Sequence, residues 1–223
     1  MKIFFALAAL AVALVARAAD FAPLRIALTG QALIQHDLRV TAPEKFRALV
    51  SALAGRDAVF TDLETVLDTG VGAKTRDSQF FHAAPPAVLD CLRDWHFNLL
   101  ALSNNHAFDL GAPGILATIA EVDRRDFVRA GTGADLATAS APAILTTPRG
   151  KVALVAFASG KIADGGAATA DRAGVNEVRL DEATGEIAAA DAARVFAALN
   201  SPPAPPMSSS PTSTTTIGRR TTA

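Results

Sequence analysis

The most specific group of polar side chains in this sequence follows an apolar run at residues 97–102 and comprises Asn104, Asn105, His106 and Asp109. An Asn carbonyl oxygen and an imidazole nitrogen can ligate a divalent metal ion. A histidine beside a phosphoryl group can also act as general acid for a leaving alkoxide. A polar turn is the alternative, with Asn in a left-handed conformation and Asp109 capping the next helix. The residues alone leave both interpretations open.

A second polar group, Asp62-Leu63-Glu64, follows the apolar residues 58–61. A carboxylate at a strand end can bridge two metal ions, which makes Glu64 a candidate metal ligand. Asp62 could ligate an ion or orient its neighbour. A solvated loop accounts for the same residues equally well.

A third group lies at residues 30–37, after the first apolar run. Gln31 directly follows Gly30, and His36 and Asp37 are adjacent residues that could each ligate an ion or a substrate. Simple exposure at the surface is the alternative for these side chains. His82, beside the apolar Phe81, is predicted to pack at a loop edge rather than to act in a site.

The elements that must position these groups alternate in type along the chain. Strands are predicted over residues 24–29, 58–61, 97–102 and 127–130, and helices over 43–53, 86–95 and 113–124. This order predicts an α/β domain with a largely parallel sheet and helices on its faces. Ligands of such sheets bind outside the carboxyl ends of the strands. We therefore expect the three polar groups, distant in sequence, to meet in space.

Beyond this pattern, residues 143–147 and 151–158 flank Pro148-Arg149-Gly150 and predict a hairpin, and a last helix is predicted over 188–199. Residues 20–200 are expected to form a single domain. Cys91, the only cysteine, is predicted to be buried in its helix.

Charge and aromatic content argue against a nucleic-acid partner. The chain has 21 Lys and Arg against 22 Asp and Glu, so a basic surplus is missing. It has one Trp and no Tyr, which leaves little for a stacking platform.

The two ends of the sequence differ from the rest. Residues 1–19 combine Lys2, an apolar run at 3–15 and Ala16-Arg17-Ala18, which predicts a cleaved signal peptide. We therefore expect a secreted or periplasmic protein with no membrane span after cleavage. Residues 201–223 hold Ser, Thr or Pro at 16 of 23 positions, which predicts a disordered tail.

Taken in order, the motifs resemble those of the capsule-synthesis family CapA, which is associated with poly-gamma-glutamate capsules. The specific match is Asn104-Asn105-His106-Ala107-Phe108-Asp109-Leu110-Gly111, supported by Asp62-Leu63-Glu64 and Gly30-Gln31. The resemblance runs from about residue 25 to residue 157. Since the family resembles calcineurin-like metallophosphoesterases, it implies a sheet sandwich with flanking helices and a possible two-metal site for Mn, Zn or Fe.

The resemblance also implies roles for single residues. Glu64 and Asn105 would be metal ligands with Asp62 beside them, His106 the general acid, and Asp109 the residue that orients His106 or the loop. Asn104 would be a weaker binding residue. Gln31 stands where the family has Asp, so that metal site should weaken unless His36 or Asp37 substitutes.

A second departure from the family lies in the carboxyl-terminal half, which the resemblance identifies as incomplete. The chain has no histidine after His106, whereas the family carries later histidine motifs. A complete two-metal centre is therefore not expected.

Two functions follow from the resemblance. The first is an exported, metal-dependent hydrolase of phosphate esters or related bonds in capsule or envelope polymer metabolism. The alternative is a non-catalytic protein that binds an anionic polymer or phosphate-containing molecule, or that docks on envelope or capsule machinery. A non-functional fragment is a third possibility.

Overall fold

The computed structural model describes residues 22–76, 81–160, 162–181 and 183–201. The predicted signal peptide at 1–19 and, apart from Ser201, the predicted tail at 201–223 lie outside these residues. None of the helices within the described ranges is long and apolar enough to span a membrane.

The strands and helices alternate through most of the chain. The strands are β1 (Ile26–Gln31), β2 (Ala58–Asp62), β3 (Val66–Leu67), β4 (Ala83–Ala84), β5 (Leu99–Ala101), β6 (Val128–Ala130), β7 (Thr132–Gly133), β8 (Ala143–Thr147), β9 (Gly150–Leu154) and β10 (Gly174–Val175). The helices are α1 (Leu38–Thr41), α2 (Pro43–Leu53), α3 (Ala87–Asp94), α4 (Gly111–Asp123), α5 (Leu136–Ser140) and α6 (Ala189–Asn200).

The central sheet is parallel, with strand order β1-β2-β5-β6. Its register aligns Leu28 with Phe60, Phe60 with Leu99, and Leu99 with Val128. Since all four strands run the same way, their carboxyl ends meet at one edge of the sheet. The predicted α/β class with a parallel central sheet and flanking helices is confirmed.

The main hydrophobic core lies between one face of this sheet and the helices. Buried side chains of α3 and α4 pack there against apolar strand residues, which include Val59, Leu100 and Leu102. The α2 residues Phe46, Leu49 and Val50 close the same core. Cys91 is buried in α3, as predicted.

The opposite face of the sheet packs against the antiparallel β8–β9 hairpin. Phe60, Ala101 and Ala130 contact Ala143 and Leu154 there. The hairpin gives the molecule a second layer on the β6 side. The edge strand β1 leaves Leu28 76% exposed on this face, so the second layer does not extend across the whole sheet.

Candidate functional site

The three predicted polar segments meet at the carboxyl edge of the sheet. Backbone hydrogen bonds continue past the strands, from Ala32 N to Asp62 O (2.7 Å) and from Leu63 N to Ala101 O (2.9 Å). Gln31 is the register partner of Asp62. The segments at 30–32, 62–64 and 101–106 therefore lie side by side, as the strand order requires.

Asn104 ties two of these segments together. Its amide nitrogen donates to Asp62 Oδ1 (3.0 Å) and to the carbonyl oxygen of Leu63 (2.8 Å). Its side-chain oxygen accepts from the backbone N–H of His106 (3.0 Å). The whole amide is thus used within the protein, so Asn104 aligns the site rather than offering an atom to a ligand.

His106 is held by Asp109. The imidazole Nδ1 lies 2.9 Å from Asp109 Oδ2, and both residues are buried. A carboxylate can only accept a hydrogen bond, so Nδ1 carries the proton. The other ring nitrogen, Nε2, is therefore the one that can exchange a proton with a ligand.

Asp109 is itself enclosed by three groups. Besides His106, its Oδ2 accepts from the backbone N–H of His82 (2.8 Å), and its Oδ1 lies 2.7 Å from Arg76 Nε. Its exposure is 0%. Asp109 therefore orients His106 through Oδ2, and its Oδ1 faces the Arg76 guanidinium as an ion pair, although the two atoms do not form an aligned hydrogen bond.

The segment that precedes the undescribed residues 77–80 is fastened onto the loop that carries His106. Arg76 Nη2 donates to the carbonyl oxygen of Asn105 (2.6 Å), and Thr75 donates to the carbonyl oxygens of Phe108 and Asp109. Gly72 permits the close approach, since a Cβ at that position would lie 2.2 Å from the carbonyl oxygen of Leu110. The sequence shows this segment only as a polar excursion, and Arg76 has no motif that identifies it.

His82 lies at the site as well. Its ring meets the ring of His106 edge to face, with centroids 4.3 Å apart and an interplanar angle of 69°. Its Nδ1 lies 3.0 Å from Gln35 Nε2. The packing role predicted for His82 is present, but its partner is the candidate catalytic residue. The parallel pairing of β3 with β4 positions His82 next to His106. Each of these strands has two residues, too few to form a detectable pattern in the sequence.

Asp62 is the last residue of β2, and Glu64 follows the strand. Burial raises the pKa of Asp62 to about 6, and the nearby Glu64 carboxylate adds to the rise against the lowering hydrogen bond from Asn104. Glu64 is 7% exposed, and its Oε2 has no hydrogen-bond partner among the described residues. A buried carboxylate oxygen without a partner is costly, so a ligand at this atom would stabilise it.

The remaining sequence candidates have other surroundings. Asp37 caps α1 through the backbone N–H of Arg39 (3.0 Å), pairs with the Arg39 guanidinium, and accepts from Cys91 Sγ. The Arg39 hydrogen bond holds the pKa of Asp37 well below its usual range. His36 and Gln31 are exposed, and neither side chain makes a hydrogen bond within the described part of the chain. Asp37 is therefore committed to the fold around α1.

A two-metal centre needs more ligands than these residues provide. Across residues 22–76, 81–160, 162–181 and 183–201, no group of three or more His, Cys, Asp or Glu side chains could hold a metal ion. Asn104 and Asp109 contact other protein groups, and Gln31 brings no charge to offset a dication. The remaining donors are the Asp62 and Glu64 carboxylates, the Asn105 amide and His106 Nε2, and they do not make up a two-metal centre.

Comparison with known proteins gives the relatives of this chain. Residues 25–201 match the family model described as bacterial capsule synthesis protein PGA_cap. Two relatives come from Sinorhizobium fredii (strain NBRC 101917 / NGR234). Uncharacterized protein y4sH is 29% identical over 161 residues, covering 68% of this chain and 35% of the relative. Uncharacterized protein y4uA is 30% identical over 145 residues, covering 61% and 32%.

The chain spans about a third of the length of these curated relatives. The family match covers the central sheet, the helices on its face, the hairpin and α6. It also includes every residue of the strand-end site described above. On that match, the chain belongs to the bacterial capsule synthesis family PGA_cap.

Proposed function

We propose that the strand-end site binds an anionic ligand in capsule or envelope polymer metabolism, and that His106 exchanges a proton with this ligand. The ligand is an anionic polymer or a phosphate-containing small molecule. The observation that carries the proposal is the buried His106–Asp109 pair, at 2.9 Å, which leaves Nε2 as the functional nitrogen. Family membership supports the role in capsule synthesis.

The chemistry available to this pair is acid–base catalysis. Asp109 fixes the orientation of the imidazole ring and the tautomer that leaves Nε2 for proton exchange. In hydrolysis of a phosphate ester, the oxygen of water bonds to phosphorus and the bond to the leaving oxygen breaks. The His106 imidazolium delivers its Nε2 proton to that leaving oxygen, and the proton released from water restores it.

A binding protein without catalysis is the alternative. It is favoured by Gln31, which removes a charge at the strand edge, and by the contacts that Asn104 and Asp109 make within the protein. In that case the site holds the ligand for envelope or capsule machinery outside the cytoplasm, in the secreted or periplasmic location that we propose for this protein.

A divalent metal is a second candidate ligand of the same edge. The unpartnered Oε2 of Glu64, with Asp62 nearby, favours one weakly held Mn, Zn or Fe ion there. Titration of the purified protein with Mn²⁺ tests this, with Glu64→Gln as the variant. Loss of Mn²⁺ binding in that variant supports a metal site at Glu64, and unchanged binding refutes it.

Calorimetric titration with inorganic phosphate and with γ-glutamylglutamate tests the main proposal. We expect His106→Ala to weaken binding at least about tenfold. His96→Ala, at an exposed histidine before β5 and away from the carboxyl edge of the sheet, is the matched control and should leave binding unchanged. Equal affinities of the two variants for these ligands would refute the proposal that His106 forms part of the binding site. Release of phenol from diphenyl phosphate, whose leaving oxygen is basic enough to need a proton, tests for catalysis. Its loss in His106→Ala separates the enzyme from the binding protein.

A further inference from the structure

His82 has contacts that packing alone does not require. Its ring lies against His106, its backbone N–H donates to Asp109, and its Nδ1 faces Gln35. Its carbonyl oxygen accepts from Thr65 Oγ1 (3.2 Å) and from Val66 N (3.2 Å). Both the backbone and the ring of His82 are therefore fixed beside the His106 ring.

Gln35 determines which ring nitrogen of His82 carries the proton. The Gln35 Nε2 atom, 3.0 Å from His82 Nδ1, belongs to an amide NH₂ group and can only donate. Nδ1 therefore accepts, and the proton of the neutral ring lies on Nε2. His106 has the opposite arrangement, because Asp109 requires the proton on Nδ1. In their neutral forms, the two rings in contact thus offer an N–H donor at His82 Nε2 and a lone pair at His106 Nε2.

We propose that His82 is a second ligand-binding residue, whose Nε2–H donates to an oxyanion of the ligand beside His106. This inference rests on the proposed function, since it assigns a further contact in the same site. This donated hydrogen bond would hold the oxyanion next to the His106 ring, which lies against His82.

One cation near His82 is available to an anion. Lys74 Nζ is 4.5 Å from the centroid of the Phe81 ring, next to His82. Arg76, on the same segment, is paired with the Asp109 carboxylate, which also accepts from the backbone N–H of His82. Lys74 is therefore the side chain of this segment that would attract an oxyanion bound at His82.

Two substitutions at one position separate hydrogen bonding from packing. His82→Phe keeps an aromatic ring against His106 and removes the donor, whereas His82→Gln keeps an N–H donor at similar reach and loses the ring. With inorganic phosphate as the probe, we expect binding about tenfold weaker in His82→Phe and within about threefold of wild type in His82→Gln. The reverse order would overturn the proposal, since it is the result expected for packing alone.

Nitrogen NMR of histidine-labelled protein gives a readout independent of affinity. We expect the Nε2–H form for His82 and the Nδ1–H form for His106, with both rings shifting when phosphate is added. A His82 ring protonated on Nδ1 would overturn the assignment. Matched thermal unfolding of the variants shows that each is folded before its affinity is compared.

The same titrations separate this inference from the proposed function. If His106→Ala binds phosphate and γ-glutamylglutamate as wild type does, the proposed site itself fails. If His106→Ala weakens binding and His82→Phe does not, only the role of His82 fails. Weakening in both variants, with recovery in His82→Gln, supports both.

Discussion

The Arg76 guanidinium and the Asp109 carboxylate form a buried ion pair, with Nε and Oδ1 2.7 Å apart. Arg76 also donates to the backbone of Asn105, so one side chain fastens a separate chain segment to the loop of the candidate site. Asp109 in turn orients His106. The position of the functional imidazole therefore depends on a residue that comes from outside the motif.

Replacing Arg76 should destabilise the protein strongly. Arg76→Met leaves the Asp109 carboxylate buried with no cation opposite Oδ1, and breaking a buried pair in this way costs about 3 kcal/mol or more. Urea unfolding measures the loss. The matched control is Arg93→Met, because Arg93 is 55% exposed and 3.5 Å from Asp90, and such a surface pair contributes about 1 kcal/mol at most. Equal losses of stability in the two variants would contradict the proposed role of Arg76 in holding the His106 loop.

Asp62 should make stability depend on pH in an unusual direction. Burial raises its pKa from 3.8 to about 6, so the folded state prefers the protonated form. The stabilising contribution is complete below about pH 3.8 and is lost as the pH rises through about 6.

Asp62→Asn removes this penalty and keeps an oxygen for the Asn104 hydrogen bond. We expect it to be about 1 kcal/mol more stable than wild type at pH 7, allowing for solvent screening of a half-buried group. Thermal unfolding from pH 4 to pH 7 should show a flatter profile than wild type. The exposed Asp164→Asn is the control, and a profile identical to wild type in Asp62→Asn would refute the prediction.

Gly72 should tolerate no side chain. Its φ is +96°, and a Cβ would lie 2.2 Å from the carbonyl oxygen of Leu110. Gly72→Ala is expected to cost about 2 kcal/mol or more, because backbone strain and a clash with the His106 loop add together. Gly70→Ala is a matched control, since Gly70 has φ +79° and open space around its Cβ position. It should cost about 1 kcal/mol, and an equal loss in both would mean that the clash is absent.

Asp37 should affect stability without affecting the ligand. Asp37→Ala removes the cap of α1 and costs about 1 kcal/mol. Phosphate affinity should stay unchanged, because the Asp37 oxygens are held by Arg39 and Cys91. A change in phosphate affinity larger than about threefold would show that Asp37 contributes to ligand binding.

Much of the fold can be predicted from local patterns. The helix Pro43–Leu53 has the predicted bounds, because its apolar residues recur at helical spacing and Pro43 lies in its first turn. The strands preceding the polar motifs are in their predicted places within about two residues, since continuous apolar runs are typical of parallel strands.

The rest of the site depends on contacts that local patterns do not encode. Arg76 and His82 reach His106 through the packing of the segment after β3 and through pairing of strands two residues long. Asp37 was a candidate ligand because it stands beside His36, although Asp before a helix is also a capping signal. The helix that it caps has four residues, too few to show a period.

Asn104 has a consequence for the interpretation of substitutions in this motif. Its three hydrogen bonds join the end of β2 to the turn before His106, so its side chain acts within the protein. Substituting it would shift both carboxylates and the imidazole together. A variant of Asn104 that loses function would therefore show that the side chains at the carboxyl edge of the sheet are misaligned. The same loss is expected whether the protein only binds its ligand or also catalyses a reaction.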